Sequence, residues 1–172
     1  TKNKFKAGIN FSFDQYLETV DTFFFDRSDR SVGSFFEYSY DNLENFSFVG
    51  GVRIDFHNRL GNFVTPRVHV RYLPREKTIL RASVGSGRKA ANIFAENQSL
   101  FGTNRLISIE QSGGSIYGLN PEIAWNYGLS IRQIFSLWGG SGDITADYYI
   151  TNFTDQVVVD WEKQGQISFY NL

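Results

Sequence analysis

The sequence predicts an all-β protein built from antiparallel strands, and three observations support that fold class. The 172 residues include 17 Phe, 9 Tyr and 3 Trp together with 16 Gly and only 3 Pro, which is typical of strands joined by turns. Apolar and polar side chains alternate with a period of two residues along several stretches, as on a strand with one apolar face. Clusters of turn-forming residues separate these stretches.

Seven stretches alternate along their length, and an eighth begins at Ile167. In the first stretch Phe5, Ile9 and Phe11 share one face, whereas Lys6 and Asn10 share the other. We expect the strands to pair in sequence order into one curved sheet whose first and last strands are unpaired edges. The strands are predicted at residues 4–14, 33–40, 48–57, 64–72, 80–87, 125–132, 144–151 and 167–172.

The predicted connections are of two kinds. Those at 41–45, 73–77 and 136–142 are short turns, whereas variable loops are predicted at 17–29, 58–62, 89–121 and 160–165. Strands of about ten residues, with short turns at one end and longer loops at the other, are typical of an up-and-down transmembrane β-barrel. A soluble barrel with its charged face outward has the same alternation, so the pattern leaves both architectures open.

The two faces of the predicted sheet differ in charge, and in a membrane barrel the charged face lines the lumen. The candidate substrate-facing or plug-facing lumen residues are Arg53, Asp55, Arg67, His69, Arg71, Arg81, Arg88 and Arg132. A solvated ladder of charges is one interpretation of this set. The other is a surface for an anionic substrate or a second domain, because guanidinium groups suit carboxylates and phosphates.

The strand register would decide which charges meet. A hairpin centred near Gly61 puts His69 opposite Arg53, and it puts Asp55 opposite Arg67. The following turn, at residues 73–77, would put His69 opposite Arg81 on its other side.

Several function classes lack support in the sequence. The formal net charge of −1 argues against a nucleic-acid-binding protein, and the absence of cysteine removes disulfides and thiolate ligands. The two histidines, His57 and His69, lie too far apart in the predicted register for one metal ion, and no Gly-x-Ser-x-Gly turn or phosphate loop occurs. We therefore expect no enzyme, catalytic residue, metal site or cofactor.

Six stretches in order along the chain resemble the barrel of bacterial TonB-dependent outer-membrane receptors. They are residues 51–57 (GVRIDFH), 63–72 (FVTPRVHVRY), 78–88 (TILRASVGSGR), 91–97 (ANIFAEN), 119–128 (LNPEIAWNYG) and 147–157 (DYYITNFTDQV). The resemblance implies a barrel of about 22 strands, of which residues 1–172 would form one partial barrel domain from the C-terminal half. About seven to eight strands would be present, and the plug domain would be absent.

The resemblance also implies a function. The whole receptor would bind a scarce nutrient (a ferric siderophore, cobalamin, a glycan or a peptide) and take it up across the bacterial cell outer membrane. Its partners would be outer-membrane lipid, its own plug, the TonB complex through that plug, and the nutrient or a surface lipoprotein, with no nucleic acid. The loop after the fifth strand supplies the extracellular candidates Asn92, Phe94, Glu96 and Asn97. The alternative is a soluble or adhesive β-sheet protein that binds a ligand without transport.

Overall fold

The computed structural model describes residues 2–20 and 22–172, and within them the chain forms ten strands in two sheets. The larger sheet, here called the wall sheet, has seven antiparallel strands in the order β1-β2-β3-β4-β5-β7-β8. Its strands are β1 (Lys2–Val20), β2 (Phe23–Asp41), β3 (Phe46–His57), β4 (Gly61–Arg75), β5 (Thr78–Lys89), β7 (Glu122–Leu137) and β8 (Gly140–Thr154). The predictions of seven strands in sequence order, with β1 and β8 as edges, are confirmed.

The remaining elements form a cap beside the wall sheet, defined here as residues 90–121 and 157–171. The cap contains a one-turn helix α1 (Ile93–Glu96), a 3₁₀ turn (Gln98–Phe101), and the strands β6 (Leu106–Ile109), β9 (Val157–Asp160) and β10 (Gln166–Asn171). Strand β10 lies in the middle of a three-stranded sheet, parallel to β6 and antiparallel to β9.

The prediction of an eighth barrel strand at 167–172 is therefore wrong, because this segment is the central strand of the cap sheet. Three consecutive residues there, Ile167, Ser168 and Phe169, are all buried, so the segment has no solvent-facing or lipid-facing side. The variable loop predicted at 89–121 is also wrong, because this segment has secondary structure of its own. It contains α1, the 3₁₀ turn and β6.

A third correction concerns the predicted loop at 17–29. Apart from Asp21, which lies outside the described residues, and the turn residue Thr22, this segment is strand, and the β1–β2 ladder runs as far as the pair Val20–Phe23. Strand β3 pairs with β2 only up to Ser31, so the hairpin extends beyond β3 by the eight residues 23–30, or roughly 27 Å at strand rise. Three successive phenylalanines at 23–25 interrupt the alternation and conceal the strand in the sequence.

The predicted division into two faces is confirmed by the strand register. Val68 lies opposite both Gly50 and Val84, and Val84 lies opposite Tyr127, so these apolar side chains share one face. The ladders place the other predicted apolar residues on the same face, namely Phe36, Tyr38, Val52, Ile54, Val70, Leu80, Leu129 and Ile131. The opposite face carries Arg53, Arg67, Arg71, Arg81 and Arg132.

The apolar face of the wall sheet is open along its length, and Ile9, Phe11 and Leu129 are each more than half exposed. The buried apolar core lies instead in the cap, where it consists of Ala91, Ile93, Phe94, Ile116, Tyr117, Leu119, Ile167 and Phe169. Val20, Phe23 and Phe25, on the polar face of the extended hairpin, pack against this core. The cap therefore covers the polar face, which carries the arginines, at the end of the wall sheet where β5 ends and β7 begins. This end is called the upper end below.

No helix among residues 2–20 and 22–172 is long and apolar enough to cross a membrane.

Candidate functional site

The centre of the polar face holds a bidentate ion pair within one strand. Arg53 donates from Nε to Asp55 Oδ2 at 2.7 Å and from Nη2 to Asp55 Oδ1 at 2.6 Å. The Asp55 carboxylate is buried, and it lies against Gly33 of the neighbouring strand, where a side chain would collide with it. These two predicted site residues therefore neutralise each other's charge and bond to each other.

A second ion group lies nearer the short turns and joins three strands. Glu37 accepts hydrogen bonds from Lys6 Nζ and from Arg67 Nη2, both at 3.0 Å. Both cations are about two-thirds exposed, so water screens each pair and its contribution to stability is small. Arg132 is held in a comparable way by Asp143, at 3.0 Å.

A third group on this face is electrostatically incomplete. Arg71 of β4 and Arg81 of β5 lie directly opposite each other, and neither forms an ion pair with another described residue. They line an open recess of about 450 Å³ together with His69, Tyr149 and Asp147. Like charges directly opposite on a sheet repel, and with the Asp147 carboxylate the two arginines leave the recess with a net charge of +1, which favours binding of a further anion.

The predicted register is wrong by several residues. His69 lies opposite Val49 and Ser83, and it does not lie opposite Arg53 or Arg81. Asp55 likewise lies opposite Phe63 and not Arg67.

The β3–β4 turn explains the error on that side, because its three-residue loop at 58–60 closes with Gly61 opposite His57 at a φ of +73°. In the β4–β5 ladder, an irregularity between Tyr72 and Arg75 shifts the register. His57 Nδ1 accepts hydrogen bonds from the backbone amides of Arg59 and Leu60, so this imidazole stabilises the turn.

Arg88 differs from the other predicted arginines. Its register partner is Ile123, which places it in the ladder row of the apolar face at the upper end of β5. Its guanidinium donates to the Leu60 carbonyl at 3.2 Å and lies 5.3 Å from the Phe63 ring centroid. Arg88 thus contacts the β3–β4 turn, away from the recess.

The four loop candidates hold the cap together in this structure. Phe94 is buried in the cap core, and Asn92 accepts a hydrogen bond from Arg27. Glu96 pairs with Lys89 at 2.7 Å, and Asn97 Nδ2 donates to the Ile93 carbonyl.

The sequence reasoning missed a buried charged cluster between the hairpin and the cap. The Arg27 guanidinium lies between two aromatic rings, 4.2 Å from the centroid of Tyr16 and 5.0 Å from that of Tyr117. Asp29 lies close by, with Oδ2 at 3.9 Å from Arg27 Nε and Oδ1 at 3.4 Å from Arg59 Nε. These residues were missed because 17–29 was predicted to be a loop. The spacing of the charged residues Arg27 and Asp29 by two positions would have indicated one face of a strand.

Tyr117 is the cap residue that meets this cluster. Its hydroxyl donates to Glu18 Oε2 at 2.5 Å, and its ring packs edge-on against Phe25 and Phe94. Burial, followed by the hydrogen bond to Glu18, raises the pKa of Tyr117 well above its ordinary value.

Within the described residues, no group of three or more His, Cys, Asp or Glu side chains is arranged to hold a metal ion.

Comparison with protein families identifies the group to which the chain belongs. Residues 3–172 match the family described as TonB dependent receptor-like, beta-barrel. The chain is a member of this family. Members of the TonB-dependent receptor family are receptors and transporters of the outer membrane and not enzymes. A separate comparison with curated proteins found no match to the sequence.

Solved structures support the TonB-dependent receptor fold. The siderophore receptor PirA from Pseudomonas aeruginosa is 14% identical over 99% of this chain and 34% of its own, with a TM-score of 0.69. The copper transporter OprC is 14% identical over 100% of this chain and 32% of its own, with a TM-score of 0.69. The ferric enterobactin receptor PfeA is 14% identical over 99% and 29%, with a TM-score of 0.66. The chain therefore spans about a third of the length of these structures.

Proposed function

We propose that the chain is a single partial barrel domain, forming part of the wall of a bacterial outer-membrane transporter that takes up a scarce nutrient. The observation that carries the proposal is the two-faced wall sheet in a member of this receptor family. An open apolar face of strands 12 to 19 residues long fits a bilayer, whereas the charged face fits a water-filled lumen. The apolar face also disfavours the soluble alternative, because soluble proteins rarely expose so large an apolar surface.

The whole receptor would take its energy from the TonB complex through a plug domain. The unpaired arginines Arg71 and Arg81 support a contact between the wall and such a plug. Both lie close to the short turn that joins β4 to β5, at the end of the wall sheet opposite the cap. We assign the recess to a carboxylate of the plug, and we assign nutrient capture to the cap end.

Loss of uptake tests the transport function. Deleting the gene of the whole receptor should abolish growth on one nutrient from a panel of ferric siderophores, cobalamin, glycans and peptides. Deleting TonB should have the same effect on that nutrient. Growth on every member of the panel in both deletion strains would contradict the transport function.

A substitution tests the assignment of the recess. Replacing both Arg71 and Arg81 by Gln should raise hydrogen exchange in the plug of the whole receptor. The matched control is Arg105→Gln, which changes a cap arginine that donates to a backbone carbonyl. Unchanged exchange in the plug of the double variant would refute the assignment.

A further inference from the structure

The cap meets the hairpin through a residue in an unfavourable backbone conformation. Tyr117 has a φ of +55° and is followed by Gly118 at +82°, and Leu119 donates to the Ile116 carbonyl across them at 2.9 Å. Two successive positive φ values are typical of a type I′ turn, where Asn-Gly is the usual pair. A bulky aromatic residue at the first position costs conformational energy, so its neighbours must hold it there.

The neighbours that hold Tyr117 belong to the β1–β2 hairpin. Glu18 accepts its hydroxyl, Phe25 packs edge-on at 4.9 Å between ring centroids, and Arg27 covers its ring. Other contacts also join the cap to the wall sheet. Arg27 donates to Asn92, the Ser115 hydroxyl donates to the Arg59 carbonyl, Glu96 pairs with Lys89, and Phe94 packs against Phe23 and Phe25. Tyr117 combines a hydrogen bond, an aromatic contact and a cation–π contact with the hairpin.

The docked arrangement also leaves buried polar atoms without partners. These are Nε and Nη1 of Arg27, Oδ1 of Asp29 and Nε of Arg59. Arg27 and Asp29 are more than nine-tenths buried, and the ion pairs of Asp29 with Arg27 and Arg59 are longer than normal hydrogen bonds, so they offset the desolvation of these charges only in part. Undocking would hydrate all these atoms and release the positive φ of Tyr117, and both changes favour the open state.

We propose that the cap is a lid over the lumen, that Tyr117 is its latch, and that the closed state is only narrowly favoured. The inference rests on the proposed function, because the polar face is a lumen only in a barrel. Closing stores the strain of Tyr117 and the desolvation cost of the buried Arg27–Asp29–Arg59 ion cluster, whose hydrogen bonds are incomplete. The bond from Tyr117 to Glu18 and the aromatic contacts offset that cost, so losing the bond should raise the population of the open state.

Hydrogen exchange of the whole receptor in lipid nanodiscs tests the latch. In the wild type, amides of α1 and β6 should exchange faster than those of β3 to β5. Tyr117→Phe keeps the ring and removes the bond to Glu18, and it should raise exchange in α1 and β6 about 10-fold or more, since a hydrogen bond to a charged group is lost. Exchange in β3 to β5 should stay unchanged.

Two further variants separate the latch from general loosening. Tyr170→Phe removes another hydroxyl from the cap, one that bonds to no described residue, and it should exchange like the wild type. Tyr117→Ala should open the lid more than Tyr117→Phe. Wild-type exchange in Tyr117→Phe, or equal acceleration in β3 to β5, would overturn the latch.

A single cysteine tests whether opening exposes the lumen. Ser31 lies on the polar face where the extended hairpin leaves β3. In a Ser31→Cys receptor with no other cysteine, a bulky water-soluble maleimide should react faster when Tyr117→Phe is added. An unchanged rate would mean that the cap is no lid. Neither measurement uses a nutrient, so a failure of the uptake experiment would leave both results interpretable.

Discussion

Gly33 is the position at which a single methyl group should disturb the polar face most. A Cβ added there would lie 2.3 Å from Asp55 Oδ1, 2.6 Å from Asn10 Oδ1 and 2.9 Å from Arg53 Nη2. All three separations are below a normal contact distance, so Gly33→Ala must displace the Arg53–Asp55 ion pair or bend β2. Overpacking of this kind costs about 1–3 kcal/mol.

Gly87 provides a matched control on the same face. It also lies in a wall strand, but a Cβ there would meet no atom within 4 Å. Gly87→Ala should therefore be neutral or stabilise by up to about 1 kcal/mol, since alanine reduces the freedom of the unfolded chain.

The assay is denaturant unfolding of the whole receptor in detergent micelles, followed by tryptophan fluorescence, with the midpoints of the variants compared. Gly33→Ala should lower the midpoint, and Gly87→Ala should not. Adding Asp55→Ser should recover part of the loss, because it removes the closest of the three collisions. Equal midpoints for the two glycine variants would refute the close approach of Asp55 to Gly33.

Three other perturbations have defined outcomes. Leu129→Arg, near the middle of β7 on the apolar face, should cost about 2–4 kcal/mol of stability in bilayers, whereas Asn126→Arg on the polar face, with Gly85 and Thr151 as ladder partners, should cost little, and equal costs would contradict the face assignment. Glu37→Gln should lower stability only slightly, and the loss should vanish at high salt, because its cations are exposed and screened by water. Because Tyr117 has a raised pKa in the folded state, docking of the cap should hold below about pH 10 and weaken above it. Tyr117→Phe should abolish that alkaline dependence in hydrogen exchange, and a dependence that persists would assign it to another group.

The wall sheet could be predicted from the sequence because each of its strands separates an apolar face from a polar one. Ile54 beside Asp55, and Leu129 beside Ser130, show the alternation that fixes the face of every residue in a ladder. The order of the strands followed because successive strands are joined by short turns, except β5 and β7, which residues 90–121 of the cap connect.

The cap could not be predicted in the same way, because its strands are buried on both sides. Ile167 and Phe169 alternate with Ser168, yet all three are buried, so periodicity does not reveal which sheet they join. The strand at 23–30 was hidden for a related reason, since Phe23 and Phe25 pack on the cap while Phe24 faces outward.

The strand register and the charge pairs could not be predicted from the sequence, and the reason is a different one. They depend on the β3–β4 turn, in which His57 accepts two backbone amides and Gly61 takes a positive φ, and on the irregularity between Tyr72 and Arg75 in the β4–β5 ladder. Moving that turn by two residues changes the partner of every charge on β3 and β4, so Asp55 pairs with Arg53 along its own strand.

Cysteine accessibility along β7 in the whole receptor tests the central claim most directly. Single cysteines at residues 126, 127, 129, 130, 131 and 132, in membranes of intact cells or in nanodiscs, would be treated with a small water-soluble maleimide. If the chain is part of the wall of a membrane barrel, positions 126, 130 and 132 should react and positions 127, 129 and 131 should be protected by lipid. Reaction at all six positions, or protection of the even positions alone, would contradict the account.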